Sequence, residues 1–199
     1  ILLTTTSFQD TPGKHHDLLQ ASGFEVVTAR GPLSEADMLK LVQSGGGFDG
    51  LLNGDDIITA KVIDAALPRL KVIAKYGIGL DSIDVKYATS KKIPVLFTPG
   101  VNHTTVAEHT FGLMIAIAKY FWPHLRSVKS GGWKRITGSE LAGKTIAVLG
   151  VGRIGKEVIK RAKVFDMKPV GYDLYWDAPF AAEYGVKRGM TIDEAVKDA

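Results

Sequence analysis

Short apolar runs alternate with amphipathic segments along the first hundred residues. The runs that we predict as strands are residues 1–3, 24–27, 48–52, 71–74 and 94–97. Between them lie predicted helices at residues 14–21, 59–67 and 84–89, and a further helix begins after Ser34, which we expect to be its N-cap with Asp37 three residues on. Alternation at this spacing predicts a parallel sheet with helices on both faces.

The pattern changes after residue 104. Residues 106–120 are strongly apolar and contain no proline, so their length favours a buried helix over a strand. A polar, glycine-containing stretch follows over residues 127–140. Residues 145–149 then begin a second strand–helix–strand unit, with its helix reaching about residue 165 and its next strand at residues 169–172. Weaker helical patterns cover residues 178–184 and 191–196.

Composition narrows the classes of function. The 25 basic and 21 acidic residues are interspersed, and the nearest basic run, residues 86–92, is more typical of a solvated helix end than of a nucleic-acid surface. The absence of cysteine excludes disulfides and thiolate catalysis, and favours a reducing, cytoplasmic location. No apolar run is long enough to span a bilayer. We expect no metal site, because His103 and His109 are poorly spaced for one helix face and no carboxylate cluster accompanies them.

Three glycines follow the strand at residues 145–149. Gly150, Gly152 and Gly155 form G-x-G-x-x-G, in which the first glycine permits a tight turn, the second lets a pyrophosphate approach the backbone, and the third lets the helix lie close to the strand. The helix start at Arg153 and Ile154 would present unpaired N–H groups to the phosphates, and Arg153 could add its guanidinium. The alternative is a tight turn that binds nothing.

An acid at the end of the next strand completes the pattern. Asp173 lies close to the spacing expected of the residue that binds the adenosine ribose. Its carboxylate would accept hydrogen bonds from the ribose hydroxyls and would repel the 2′-phosphate of NADP. The next residues, Leu174, Tyr175 and Trp176, offer no basic side chain that could bind such a phosphate. The sequence therefore predicts NAD rather than NADP as the cofactor.

Four segments resemble, in order and spacing, the D-isomer-specific 2-hydroxyacid dehydrogenases. They are KVIAKYGIGLDSIDV at residues 71–85, residues 93–114, GGWKR at residues 131–135 and ELAGKTIAVLGVGRIG at residues 140–155. The resemblance implies an α/β protein with a flavodoxin-like substrate domain over residues 1–100. Residues 101–199 would form an interdomain helix and the first part of a Rossmann NAD-binding domain. NAD and a small 2-hydroxy or 2-keto acid would meet in a cleft between these domains, with hydride transfer between the nicotinamide and the acid.

The same resemblance assigns further site residues. The backbone at Ile78 and Gly79 should face the substrate carboxylate, with Ile78 also near the cofactor, because a glycine-containing loop lets amides converge on an anion. A plain turn is the alternative. Thr105 and Val106 should lie against the cofactor, although Thr105 also suits the N-cap of the apolar helix.

The family's catalytic Arg, Glu or Asp, and His have no match here. The five histidines, His15, His16, His103, His109 and His124, lack the family's sequence context. We therefore expect no catalytic residue in this chain. We interpret it as the N-terminal two-thirds of a longer enzyme that carries those residues beyond position 199, and as inactive alone. The alternative is a non-catalytic NAD(H)-binding or dimerisation module.

Two further expectations concern the substrate and the oligomer. Phosphoglycerate-type members tend to place an arginine near residues 50–59, and the acids Asp55 and Asp56 beside that place favour an unphosphorylated substrate. The alternative is that these acids are solvent-exposed residues at a helix start. The family pairs around its long helix, so Phe121, Trp122 and Trp133 are candidate anchors of a homodimer or, alternatively, of interdomain packing.

Overall fold

A computed structural model describes all 199 residues. The Cα positions divide into two compact units, Ile1–Pro99 and Gly100–Ala199. None of the helices combines the length and the apolar character that crossing a membrane requires.

The first unit is a five-stranded parallel sheet with the strand order β2-β1-β3-β4-β5, which is the flavodoxin-like order. The predicted α/β fold class is therefore confirmed. The elements of the unit are, in chain order, β1 (Leu2–Leu3), α1 (Thr6–Asp10), α2 (Lys14–Ala21), β2 (Val27–Thr28), α3 (Glu35–Gln43), β3 (Gly50–Asn53), α4 (Ala60–Ala66), β4 (Val72–Lys75), α5 (Val85–Ser90) and β5 (Val95–Leu96).

The core of the first unit lies between the sheet and α3 and α4. Leu2, Leu51 and Ile73 come from three neighbouring strands, and Met38 and Ile63 pack on them from the two helices. Alternate strand residues face this layer because side chains alternate across a strand. All the strands run in the same direction, so the loops after β1, β3 and β4 share one edge of the sheet.

The second unit has three parallel strands in the order β6-β7-β8. Its elements are α6 (His103–Ala118), α7 (Phe121–Lys129), β6 (Thr145–Leu149), α8 (Arg153–Val164), β7 (Lys168–Tyr172), α9 (Ala178–Tyr184), β8 (Lys187–Arg188) and α10 (Ile192–Val196). Helix α6 packs along α8, where Phe111 stacks on Phe165 with 5.1 Å between ring centroids. Arg161 of α8 also pairs with Glu108 of α6 at 3.1 Å.

Most predicted elements exist within two residues of their expected bounds, and two predictions were wrong in detail. The second strand covers only Val27–Thr28, because pairing with β1 begins where Val27 N–H reaches the Ile1 carbonyl at 2.9 Å. The long apolar helix is not buried. Only Ala107 and Phe111 are fully buried, and Ile117 remains 75% exposed, since a single helix covers one side of α6.

Helix α7 was not predicted. It follows Tyr120, whose left-handed backbone (φ 52°) separates it from α6, and it extends into the polar, glycine-containing stretch of residues 127–140. Pro123 lies in its first turn, where a proline N–H would have no intrahelical acceptor in any case.

Candidate functional site

The turn between β6 and α8 presents free backbone amides. Gly150 adopts φ +95°, and its N–H donates to the Tyr172 carbonyl at 2.8 Å. The helix begins at Arg153 with Gly152 as N-cap, and its first hydrogen bond runs from Lys156 N–H to the Gly152 carbonyl at 2.9 Å. The amides from Gly152 to Gly155 therefore have no acceptor within the chain, and they concentrate positive potential at the helix start.

The glycines of this turn have different surroundings. A Cβ on Gly155 would lie 2.0 Å from the Gly150 carbonyl oxygen and 3.1 Å from Val148 Cγ1, so helix and strand approach closely only because this residue has no side chain. A Cβ on Gly152 would meet nothing within 4 Å, and the backbone there has φ −77°. The space beside the free amides is thus open to a ligand.

Asp173 holds this turn from the end of β7. Its Oδ2 accepts the Val151 N–H at 2.7 Å, and its Oδ1 accepts the Tyr175 N–H at 2.8 Å. A carboxylate oxygen can accept more than one hydrogen bond, so each oxygen retains capacity for a hydroxyl donor. The acid is therefore both a structural tie and an acceptor beside the amides.

Two side chains of the first helical turn face solvent. Arg153 makes no ion pair, and its Nη1 lies 3.6 Å from the position of a Cβ on Gly100, which adopts φ +77°. Ile154 is 41% exposed. The turn thus combines unpaired amides with an unpaired guanidinium, an arrangement suited to phosphate groups.

Thr105 and Val106 lie in the first turn of α6, in the same unit as the glycine turn. Asn102 is the N-cap of α6, and its carbonyl accepts the Val106 N–H at 2.9 Å. The expectation that Thr105 caps the helix was therefore wrong, because the helix begins two residues earlier. The Thr105 side chain is exposed.

The loop after β4 carries the other predicted anion site. Tyr76 N–H donates to the Asn53 carbonyl at 2.9 Å, and the Gly77 carbonyl accepts both the N–H and the hydroxyl of Thr98 at 3.0 Å. The amides of Ile78 and Gly79 have no acceptor within the chain. Fixed ends and two free successive amides allow this loop to bind a carboxylate.

The two acids after β3 are engaged within the protein. Asp56 is fully buried and accepts hydrogen bonds from the Thr4 hydroxyl at 2.6 Å, Leu33 N–H at 2.8 Å and Gly54 N–H at 3.0 Å. Asp55 pairs with the ammonium of Lys75. One of the two interpretations of the sequence was that both acids are charges facing a ligand. Asp56 does not have that role, because it is buried and fully hydrogen-bonded.

A more voluminous cavity lies elsewhere in the first unit. It measures about 750 Å³ and is lined mainly by apolar groups such as Leu19, Phe24 and Val72, together with Asp49 and Lys71 from the beginnings of β3 and β4. These positions lie at the opposite edge of the sheet from the loop with free amides. The candidate anion sites therefore do not coincide with this cavity.

The comparisons with known proteins establish the family. Residues 5–188 match the model of the D-isomer specific 2-hydroxyacid dehydrogenase catalytic domain. The chain belongs to this family, as the sequence resemblance indicated.

Curated relatives include enzymes with different substrates. The chain is 45% identical over 144 residues to D-3-phosphoglycerate dehydrogenase of Methanocaldococcus jannaschii, covering 71% of this chain and 27% of that protein. It is 48% identical over 118 residues to hydroxypyruvate reductase of Thermotoga maritima, covering 58% of this chain and 38% of that protein. The chain thus spans 38% or less of the length of these two relatives.

Solved structures show the same architecture. The TT0316 protein from Thermus thermophilus superposes with a TM-score of 0.84 and 34% identity, over 100% of this chain and 61% of that one. D-lactate dehydrogenase from Aquifex aeolicus, complexed with NAD and lactic acid, superposes with a TM-score of 0.79 and 25% identity, over 100% of this chain and 58% of that one. The predicted combination of a flavodoxin-like sheet with part of a Rossmann unit is confirmed.

Proposed function

We propose that this chain is the substrate-binding and NAD-binding part of an oxidoreductase that acts on the CH–OH group of a small D-2-hydroxy acid. The observation that carries the proposal is the open space at Gly152 beside four free amides, in a turn whose shape depends on Gly155 lying against Gly150. A dinucleotide pyrophosphate fits this combination of shape and charge.

The second unit would hold NAD. The amides of Gly152, Arg153, Ile154 and Gly155 would bind the pyrophosphate together with the Arg153 guanidinium, with Gly150 making the turn. The Asp173 carboxylate would accept hydrogen bonds from the hydroxyl groups of the adenosine ribose. Thr105 and Val106 are further proposed contacts from α6. NAD, when bound, supplies the acceptor for the hydride leaving C2 of the hydroxy acid.

The first unit would hold the substrate. The free amides of Ile78 and Gly79 would bind its carboxylate, and Ile78 would also approach the cofactor. We find no match in this chain to the Arg, the acid and the His of the family's catalytic set, and we therefore propose no catalytic residue within it. The first unit is accordingly the proposed substrate domain, and the second the proposed cofactor domain.

A homodimer is part of the proposal. The exposed side chains of Phe121, Trp122, Leu125 and Val128 follow one face of α7 and border an apolar hollow of about 550 Å³. Aromatic residues on such a face are typical anchors of an interface. We also propose a cytoplasmic location, in line with the absence of cysteine.

Calorimetric titration with NADH and NADPH tests the cofactor assignment. NADH should bind and NADPH should bind more weakly, because its 2′-phosphate would face the Asp173 carboxylate. Failure of the folded chain to take up either nucleotide would contradict the proposal.

Asp173→Asn should weaken NADH binding about tenfold, because it removes charge-assisted hydrogen bonds and offers only one oxygen for two backbone N–H donors. Asp166→Asn, the same change in an exposed acid just beyond the other end of α8, is the matched control and should leave affinity unchanged. Equal affinities for the three proteins would remove Asp173 from the proposed site.

A further inference from the structure

A small cavity adjoins the loop with free amides in the first unit. It measures about 80 Å³, and its lining includes Thr5, Thr6, Ser7, Gly54, Asp55 and Tyr76. Tyr76 lies two residues before Ile78, so the cavity borders the loop proposed to bind the substrate carboxylate. One water occupies about 30 Å³ of liquid volume, so this space suits a substituent of a few non-hydrogen atoms.

The walls of the cavity are held by buried hydrogen bonds. Asp56 ties the loop after β1, through Thr4, to the loop after β3, through Gly54. A Cβ on Gly54 would lie 3.3 Å from Thr5 Cβ, so these two loops pack closely. The cavity is therefore preorganised rather than dependent on a ligand for its shape.

The lining favours a hydroxyl group. The Thr5 and Ser7 hydroxyls lie 3.1 Å apart and share one hydrogen bond, which leaves donor and acceptor capacity unused. Thr5 is almost completely buried, so a hydroxyl partner placed beside it would form a hydrogen bond shielded from water.

The charge distribution disfavours an anion. The Lys75 side chain is only 3% exposed, and its ammonium donates to the Gly54 carbonyl at 2.6 Å and pairs with Asp55, whose side chain is 87% exposed. The ammonium is thus covered and paired, and Asp55, whose carboxylate holds it, is among the residues that line the cavity. An anionic substituent would meet that carboxylate instead of the ammonium.

We propose that this cavity receives the C3 substituent of the substrate, that it selects a neutral hydroxymethyl group, and that Asp55 excludes a second anionic group by occupying Lys75. The inference rests on the proposed function, and it makes D-glycerate-like acids the preferred class over methyl-bearing or phosphorylated ones.

Titrations followed by amide NMR on the 199-residue protein test this selection without requiring turnover. D-Glycerate should shift the amides of Thr5, Ser7 and Gly54 as well as those of Ile78 and Gly79, and should bind about tenfold more tightly than D-lactate or 3-phosphoglycerate. Thr5→Val, which keeps the shape and removes the hydroxyl, should weaken glycerate binding and leave lactate binding unchanged.

Asp55→Asn should free the Lys75 ammonium and raise the affinity for 3-phosphoglycerate about tenfold. Asp49→Asn is the matched control, because Asp49 is also paired with a lysine, Lys71, but at the other edge of the sheet. Circular dichroism verifies that each variant is folded.

Two outcomes overturn the inference. One is equal binding of glycerate and lactate, or an absence of shifts at the cavity amides with glycerate in excess. The other is a folded Asp55→Asn variant with unchanged 3-phosphoglycerate affinity. Failure of the proposed function is distinguished by the NADH titration, which reports on the second unit and does not involve this cavity.

Discussion

Gly152 and Gly155 belong to one turn, yet their missing side chains have opposite consequences. Gly155 is in contact with the Gly150 carbonyl, so a methyl group there forces helix and strand apart. Gly152 has ordinary negative φ and empty space around it, so a methyl group there costs the folded chain little. Gly155 therefore supports the fold, and Gly152 leaves room for a ligand.

Gly152→Ala should leave the melting temperature nearly unchanged and weaken NADH binding at least about tenfold, because the new methyl occupies the space beside the free amides. Gly155→Ala should instead lower stability by about 1–3 kcal/mol through overpacking. Thermal unfolding and fluorescence titration with NADH provide the two readouts.

Gly112→Ala is the control for helix propensity, because Gly112 lies on an exposed face of α6 with nothing near its Cβ position. It should stabilise the protein by up to about 1 kcal/mol. A destabilised Gly152→Ala variant, or a stable Gly155→Ala variant, would contradict the assignment of roles.

Among individual residues, the sequence predicted those site residues that are recognised by their spacing along the chain. The glycine motif and Asp173 could be found because strand, turn and helix are contiguous. The bond from Val151 N–H to Asp173 could not, since it depends on how two loops meet at the sheet edge. The burial of Asp56 was missed for the same reason, because its partners Thr4 and Leu33 are distant in the chain.

Helix starts show which elements a sequence can specify. Ser34 accepts the Asp37 N–H at 3.2 Å, as predicted from its position before the apolar pattern. Helix α7 lacks a side-chain cap and begins after a left-handed residue, so its start carries no such signal. Its apolar spacing at positions 121, 122, 125 and 128 was the available sign. Strand β8, Lys187–Arg188, is exposed and charged and gave no hydrophobic pattern.

Helix α9 depends on a charged cap. Asp177 accepts the Phe180 N–H at 3.1 Å and pairs with Lys156 of α8. The hydrogen bond from Lys156, followed by that from the Phe180 amide, lowers the pKa of Asp177 below its usual value. A carboxyl group with a depressed folded pKa stabilises the protein above its unfolded pKa, and this contribution is lost as the pH falls through the folded pKa.

Asp177→Asn should therefore lower the melting temperature at pH 7, although asparagine still serves as a cap. The difference from the wild type should shrink below about pH 4 and vanish once the wild-type carboxyl is protonated. Asp198→Asn, the same change in an exposed acid of the same unit, is the control and should leave the melting temperature at pH 7 unchanged. A difference that persists in acid would mean that the charge is not its cause.

For the molecule as a whole, the two units carry different amounts of exposed apolar surface. The first unit has a core closed by α3 and α4 on one face of its sheet. The second exposes large side chains along α6 and α7, including Trp122 and Ile117. The sequence predicted the fold class because strand and helix periodicities differ. It did not predict this exposure, because an apolar pattern does not show what covers it.

Trp122→Glu should convert the proposed dimer to monomers, because it places a charge at the centre of the apolar face of α7. Sedimentation velocity across a concentration series measures the change. Leu18→Glu alters an equally exposed apolar residue on α2 of the first unit and should leave the oligomeric state unchanged. A wild-type protein that stays monomeric at every concentration would refute the proposed interface.

The double support of the glycine turn by Tyr172 and Asp173 has a consequence for how a nucleotide associates. The segment already has its binding shape when empty, so little chain entropy is lost when the ligand arrives. The rate of association is then governed by diffusion and by the electrostatic attraction between the exposed Arg153 and the phosphate groups. We therefore expect the association rate constant to fall as the salt concentration rises.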